Sequence, residues 1–175
     1  RLPDHVFHFG SMDWAPNRDG VRWLQDAVWP VVRAARPDAR LVLAGRQFPE
    51  HWPVAPGIEV LGEVDDPWTV LNRAGIMAIP LHAGSGMRIK AIEGLATGRP
   101  IVSTRLGMEG LGLQPGVHFR AADEAESFAG ELLKALAHPR SALEMGARGR
   151  AAVEDRFENG HLMAGLLAFL ETLRG

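Results

Sequence analysis

Ile76-Met-Ala-Ile-Pro-Leu-His-Ala-Gly-Ser-Gly-Met-Arg-Ile-Lys-Ala-Ile-Glu-Gly-Leu-Ala-Thr-Gly-Arg-Pro-Ile-Val-Ser-Thr104 is the stretch on which the fold turns. The apolar run Ile76–Ile79 reads as a strand, and the glycines at 84 and 86 end it in a turn. Gly86–Thr97 then carries Ile89, Ile92 and Ala96 along one stripe of a helix. Gly98-Arg99-Pro100 stops that helix, and Pro100–Thr104 reads as the next strand. Strands joined through a helix need a crossover connection, and right-handed crossovers lay them parallel with helices over the sheet.

Outward from this unit the same alternation repeats. His5–Phe9, Arg40–Ala44 and Ile58–Leu61 read as strands before it, and His118–Arg120 as a weaker one after it. Asp19–Ala35 brings Val21, Leu24, Val28, Val31 and Val32 to one face, with a kink expected at Pro30. A shorter helix starts near Asp66 and is anchored by Leu71, while the proline-rich 47–57 stretch loops out. Beyond Ala121 the strand signals stop. Glu124–Ala137, Arg140–Phe157 and Gly160–Arg174 read as successive helices, so 122–175 is mostly helical, and Leu162, Leu166, Phe169, Leu170 and Leu173 form an apolar stripe that requires a cover. The class is α/β: a Rossmann-like, doubly wound parallel sheet with helices on both faces and a C-terminal helical tail.

Length and composition narrow the function. At 175 residues and 46% apolar content the chain 1–175 builds one domain with one sizeable core. A formal charge of −2 offers no field for a polyanion, which argues against nucleic acid as a partner. With no cysteine there are no disulfides and no thiolate metal sites. No His, Asp and Glu fall at metal-ligand spacing, so no metal is expected. No apolar run reaches a membrane span of roughly 18 residues. The opening Arg1-Leu-Pro runs straight into a strand, and we expect the chain to be a segment of a longer protein.

The chemistry concentrates at Pro80–Glu93. Gly84 and Gly86 allow close approach of main chain to a ligand, and Ser85 with the first N–H groups of the helix suits an anion such as phosphate. Met87 lies within the same turn. Arg88 or Lys90 adds positive charge, and Glu93 offers two acceptors to a vicinal diol such as ribose. The competing reading is a tight turn with Ser85 as helix cap and Lys90 with Glu93 as a surface ion pair. Elsewhere Trp23 and Trp29 read as core or near-core residues, Trp14 as a packing anchor in preference to a lining of the interdomain cleft, and Met108 and Leu111 as packing for the loop after the fifth strand. His82 reads as a hydrogen-bonded structural residue, and Glu109 as a solvated carboxylate.

Gly84 to Thr104 resembles the retaining glycosyltransferases of the GT-B fold, group 1. The resemblance extends over Phe9-Gly-Ser-Met-Asp-Trp-Ala-Pro-Asn-Arg-Asp-Gly-Val21, Leu41-Val-Leu-Ala-Gly45, Leu61-Gly-Glu-Val-Asp-Asp66 and Gly107-Met-Glu-Gly-Leu111. It implies the C-terminal, donor-binding half of a two-domain enzyme whose N-terminal domain shapes the acceptor site. It also implies a nucleoside-diphosphate sugar as donor, no separate cofactor, and hexosyl-type transfer with retention in carbohydrate biosynthesis. The family's two glutamates fall on Ser85 and Glu93, so the first carboxylate is replaced. Ser11 stands where the family often has Arg, and its Lys position falls near Asn17–Asp19, with Arg18 the one local cation. Charge compensation is therefore assigned to Arg88 and Lys90 as the catalytic cations, with Arg105 as a third candidate. Gly10 and Ser11 would bring main chain to the diphosphate, and Gly62, Glu63 and Val64 would meet the base. The expected location is the cytoplasm, at the membrane face for a lipid acceptor. A non-catalytic binding or assembly domain and a sugar-nucleotide epimerase remain as alternatives. A dehydrogenase is disfavoured, since Gly10-Ser-Met-Asp-Trp lacks the spaced glycines of a dinucleotide loop.

Overall fold

Six short strands lie side by side in a computed structural model that describes residues 5–66, 70 and 75–157. They are β1 (His5–Phe9), β2 (Arg40–Ala44), β3 (Ile58–Gly62), β4 (Ile76–Ile79), β5 (Ile101–Ser103) and β6 (Arg120–Ala121). All pairings are parallel, in the order β3-β2-β1-β4-β5-β6. The middle of such a sheet is covered on both faces, which favours near-continuous apolar runs; all four residues of β4 are buried.

Alternation along the strands divides the interior in two. Val6, Leu41, Leu43, Ile76, Ala78 and Val102 pack with Val21, Leu24, Val28, Val32, Phe128 and Leu132. These come from α1 (Ala15–Trp23), the turn after it, α2 (Trp29–Ala35) and α4 (Ala125–Ala137). Phe7, Met77, Ile79 and Ile101 pack instead with Ala91, Leu95 and Val153, contributed by α3 (Ile89–Ala96) and α5 (Pro139–Phe157). Helices thus cover both faces, as the sequence pattern requires.

The first helix departs from expectation at both ends of its argument. It starts at Ala15, four residues before Asp19, because Pro16 suits a first helical turn, where no N–H is needed. The irregularity expected at Pro30 is a π turn over Leu24–Val28, in which the Trp29 N–H reaches back five residues to the Leu24 carbonyl. Pro30 supplies no N–H and crowds the carbonyl four residues back; the wider turn accommodates both. The helix expected from Gly86 begins only at Ile89, since Gly86 has φ +95° and Arg88 sits outside helical geometry. β6 shares only Arg120 with the expected His118–Arg120 strand, because the His118 N–H turns back to the Gln114 carbonyl. The remaining boundaries agree within a residue or two. The helix anchored by Leu71 and the stripe of Gly160–Arg174 lie outside the described residues.

The sheet order places a switch point between β1 and β4. From β1 the chain moves outward to β2 and β3; from β4 it moves the other way to β5 and β6. The loops leaving β1 and β4 therefore part, and a crevice opens above their C-terminal ends. Gly20 lets α1 settle there: a Cβ on it would lie 2.0 Å from the Pro80 carbonyl oxygen, at the end of β4.

Candidate functional site

The crevice over β1 and β4 is a cavity of about 130 Å³ whose wall includes His8, Trp14, Asn17, Ser85, Met87 and Lys90. Its elements are the last turn of β1, the start of α1, and the glycine loop that joins β4 to α3. Lys90, in the first turn of α3, extends across the floor. Its Nζ donates to Asn17 Oδ1 at 2.7 Å and lies 3.4 Å from His8 Nε2. Asn17 in turn donates through Nδ2 to the Ser11 carbonyl at 3.0 Å, which fixes which end of its amide faces the lysine.

Gly10 forms the floor beneath this cation. A Cβ there would lie 2.5 Å from Lys90 Nζ, 2.9 Å from Asn17 Nδ2 and 3.1 Å from His8 Nε2, so the ammonium rests directly on main chain. Burial, partly offset by the nearby Glu93 carboxylate, brings the Lys90 pKa down to about 7. His8 is buried, and burial together with the Lys90 charge holds its imidazole well below the usual range. The floor therefore carries one titratable positive charge and little competing protein charge, which suits an incoming anion.

The glycine loop is held from behind. Arg88 is buried and donates through Nε to the Leu106 carbonyl at 2.9 Å and through Nη2 to the Gly84 carbonyl at 3.2 Å, with Glu109 Oε2 at 3.4 Å. The Thr104 hydroxyl donates to the Leu81 carbonyl and accepts the Gly107 N–H at 3.1 Å. Gly84, at φ +113°, lies against the Trp14 ring, 2.7 Å from where its Cβ would be. Ser85 is exposed three residues before the helix cap, so it does not cap the helix. Met87 is 73% exposed and Ile89 58%, and with Trp14 at 41% they give the crevice an apolar lip.

The expected site residues divide into two groups. Gly10, Ser11, Gly84, Ser85, Met87, Arg88 and Lys90 converge on the crevice or its walls, and Gly86 joins Ser85 to Met87 in the same loop. Glu93 is exposed on α3, one turn beyond Lys90, close enough to act on its charge. Gly62, at φ +67°, accepts the Gly45 N–H at 2.7 Å and ends β3, two strands along the same rim. Glu63 and Val64 follow it. Arg105 stands apart in an ion pair with Asp123, and Arg18 donates to the Met12 carbonyl at 3.0 Å. Trp14, expected as a packing anchor, both packs on Gly84 and lines the crevice. His82 is exposed and meets Trp23 edge-on at 4.4 Å. His8 and Asn17 were not singled out from the sequence. A histidine inside an otherwise apolar strand was the available signal for the first; the second carries none, since only the fold buries Asn17 in the first turn of α1. Among the described residues no three His, Cys, Asp or Glu side chains gather as metal ligands, and no helix is long and apolar enough to cross a membrane.

With this geometry in view, the family model described as glycosyl transferases group 1 matches residues 3–138. No curated protein matches the sequence. Solved structures share the fold at low identity. TarM superposes with a TM-score of 0.79 at 14% identity, over 96% of this chain and 35% of its own. Anabaena HepE, in a complex with UDP and glucose, gives 0.73 at 15% identity, over 97% and 48%. The C-terminal domain of LpcC, a glycosyl transferase group 1 family protein from Francisella tularensis, gives 0.70 at 13% identity, over 90% and 89%. The chain spans about a third to a half of the first two and nearly all of the third.

Proposed function

The chain belongs to the glycosyl transferases of group 1, and from that premise we propose that it is the donor half of such an enzyme, holding a nucleoside-diphosphate sugar whose sugar passes to an acceptor. The observation that carries this reading is the Lys90 ammonium lying on Gly10 at the switch point of the sheet. An anion arriving there meets main-chain N–H groups of the glycine loop and the start of α3, together with a charge that needs no movement to reach it. The complex of HepE with UDP and glucose, at the same fold, supports a diphosphate as that anion.

In this reading the diphosphate lies over Gly10, Ser11 and the Gly84-Ser-Gly86 turn, with Met87 at the lip. Lys90 offsets the negative charge that grows on the diphosphate as the glycosidic bond breaks. Arg88 adds to the same field from the wall and, through the Gly84 and Leu106 carbonyls, keeps the loop in shape. Glu93 accepts from the ribose hydroxyls, and Gly62, Glu63 and Val64 face the base along the rim. An N-terminal domain of the same protein would bring the acceptor, and closure of the two would exclude water. Transfer of a hexose with retention, in the cytoplasm or at its membrane face, belongs to the same proposal.

Isothermal calorimetry of this chain with UDP, GDP and ADP tests it. Binding of at least one, without sugar transfer by the isolated chain, is expected. Absence of heat with all three, in a chain shown to be folded, rejects the reading. Ser85, standing where the family's first glutamate falls, favours a second reading in which the protein binds the donor without turning it over. Transfer by the full-length protein that is lost on Glu93→Ala decides for the enzyme.

A further inference from the structure

His8 has no task in the donor reading, yet its position is a costly one for an imidazole. It is 1% exposed and pairs along the sheet with Leu43 of β2. An aliphatic side chain there would avoid the desolvation of two ring nitrogens. Both nitrogens instead have definite partners. Nδ1 lies 3.0 Å from the Ala78 carbonyl and Nε2 lies 3.4 Å from Lys90 Nζ. A carbonyl only accepts, so Nδ1 carries the hydrogen and Nε2 turns its lone pair to the lysine. The lysine is thereby held between two acceptors, His8 Nε2 and Asn17 Oδ1, above Gly10.

We infer that His8 is a positioning residue: its neutral ring holds the Lys90 ammonium over Gly10, where the diphosphate arrives, and a protonated His8 repels it. The inference rests on the donor reading for its ligand and on the ring geometry for its mechanism. The groups facing His8 are few. From α3 come Lys90 and, one turn further, the exposed Glu93. From α1 comes the uncharged Asn17, from β4 the Ala78 carbonyl, and from β2 Leu43. Arg88 lines the same crevice with its guanidinium on the Leu106 and Gly84 carbonyls. Lys90 is thus the charge that His8 meets directly, and burial with that charge keeps the ring an acceptor at neutral pH. The choice of lysine fits this arrangement. Of 19 basic residues only Lys90 and Lys134 are lysines, and only a lysine places a compact, adjustable charge between two acceptors.

Two lysines give two side-chain Cε resonances, so Lys90 can be titrated by carbon NMR in the ligand-free chain, beside calorimetry with UDP. His8→Leu removes the acceptor, and His8→Gln restores one near the Nε2 position without a titrating ring. In His8→Leu we expect the Lys90 midpoint to fall by about one pH unit and UDP affinity at pH 7.5 to fall about tenfold. His8→Gln should return both to within about twofold of the original, which a merely space-filling role for His8 does not predict. It should also lose affinity less steeply than the original chain on acidification, since the protonation of UDP is common to both. An unchanged Lys90 midpoint together with unchanged UDP affinity in His8→Leu overturns the inference. If His8→Leu does not fold, an acid limb in His8→Gln identical to that of the original chain overturns it. If UDP binds nowhere but the Lys90 midpoint moves, the donor reading fails and the hold of His8 on Lys90 stands.

Discussion

Raising the pH from 7 to 9 should weaken nucleoside-diphosphate binding in a way that only Lys90 explains. Its pKa of about 7 leaves the free site half-protonated at neutrality. A bound diphosphate favours the charged form, and we expect it to hold Lys90 protonated through pH 9. Binding then takes up about half a proton at pH 7 and nearly a whole one at pH 8.5. The free site at pH 9 is protonated in about one molecule per hundred, so affinity falls about 50-fold between pH 7 and 9, or roughly 2.3 kcal/mol at 1.36 kcal/mol per unit. The UDP phosphate has shed its last proton near pH 6 and stays constant over this window. Calorimetry in buffers of different ionisation enthalpy measures affinity and proton uptake together. Lys90→Met should bind weakly and show no dependence in the same range. A flat affinity from pH 7 to 9, with no protons taken up, would refute the placement of the Lys90 charge under the diphosphate.

Three further outcomes follow from named contacts. Gly10→Ala and Gly20→Ala should separate binding from stability. The new Cβ at 10 meets the side-chain ends of Lys90 at 2.5 Å and Asn17 at 2.9 Å, which can shift, so UDP affinity falls with a smaller loss of stability; the one at 20 meets the Pro80 carbonyl at 2.0 Å and should cost about 2 to 4 kcal/mol in a urea titration. Glu93→Ala should lower the Lys90 midpoint, because Glu93 supports its charge, and weaken UDP binding by about tenfold if Glu93 takes the ribose role proposed for it. Arg88→Leu should destabilise the chain by about 2 kcal/mol by leaving the Leu106 and Gly84 carbonyls without their donor. Faster amide exchange at Gly84–Met87 would report the loosened loop.

The strands and the long helices were legible because burial imposes a period that the sequence must repeat. β4 reads as an apolar run since both of its faces are covered, and Val21, Leu24, Val28 and Val32 recur at the steps of a helix for the same reason. What the pattern hid was local geometry. The π turn answers a clash at Pro30 that periodicity does not register, and α3 starts late because the backbone at Gly86 and Arg88 departs from helical values. At the site, the glycine loop and Lys90 were visible as a motif. His8 and Asn17 were not, because their meaning lies in contacts across 82 and 73 positions of chain. Arg88 reads as a cation for the diphosphate, and the motif gives no sign that its guanidinium also donates to the Leu106 and Gly84 carbonyls. A motif names the residue types present at a site, and the fold decides which of them face the ligand.

The same lysine should leave a mark on folding itself, independent of any ligand. Its pKa falls from 10.5 to about 7 on folding, so between these values the unfolded chain binds the extra proton. Stability then rises as pH climbs through this window, by at most about 1.36 kcal/mol per unit, and is flat below the lower value. Allowing for the solvent that still partly reaches the side chain, we expect a gain of about 2 kcal/mol between pH 7 and 9.5. The chain has no cysteine and no tyrosine, which removes the other side chains that commonly titrate there, and any effect of Lys134 is common to a Lys90 variant. Urea titrations of the original chain should therefore show a rising slope with pH that Lys90→Met lacks. A site that keeps a charge poised for an anion does so by destabilising its own empty state, and a saturating diphosphate should flatten the slope by restoring that charge. Equal slopes in the two proteins would mean that Lys90 is solvated in the folded chain, and the electrostatic case for the crevice would fall with it.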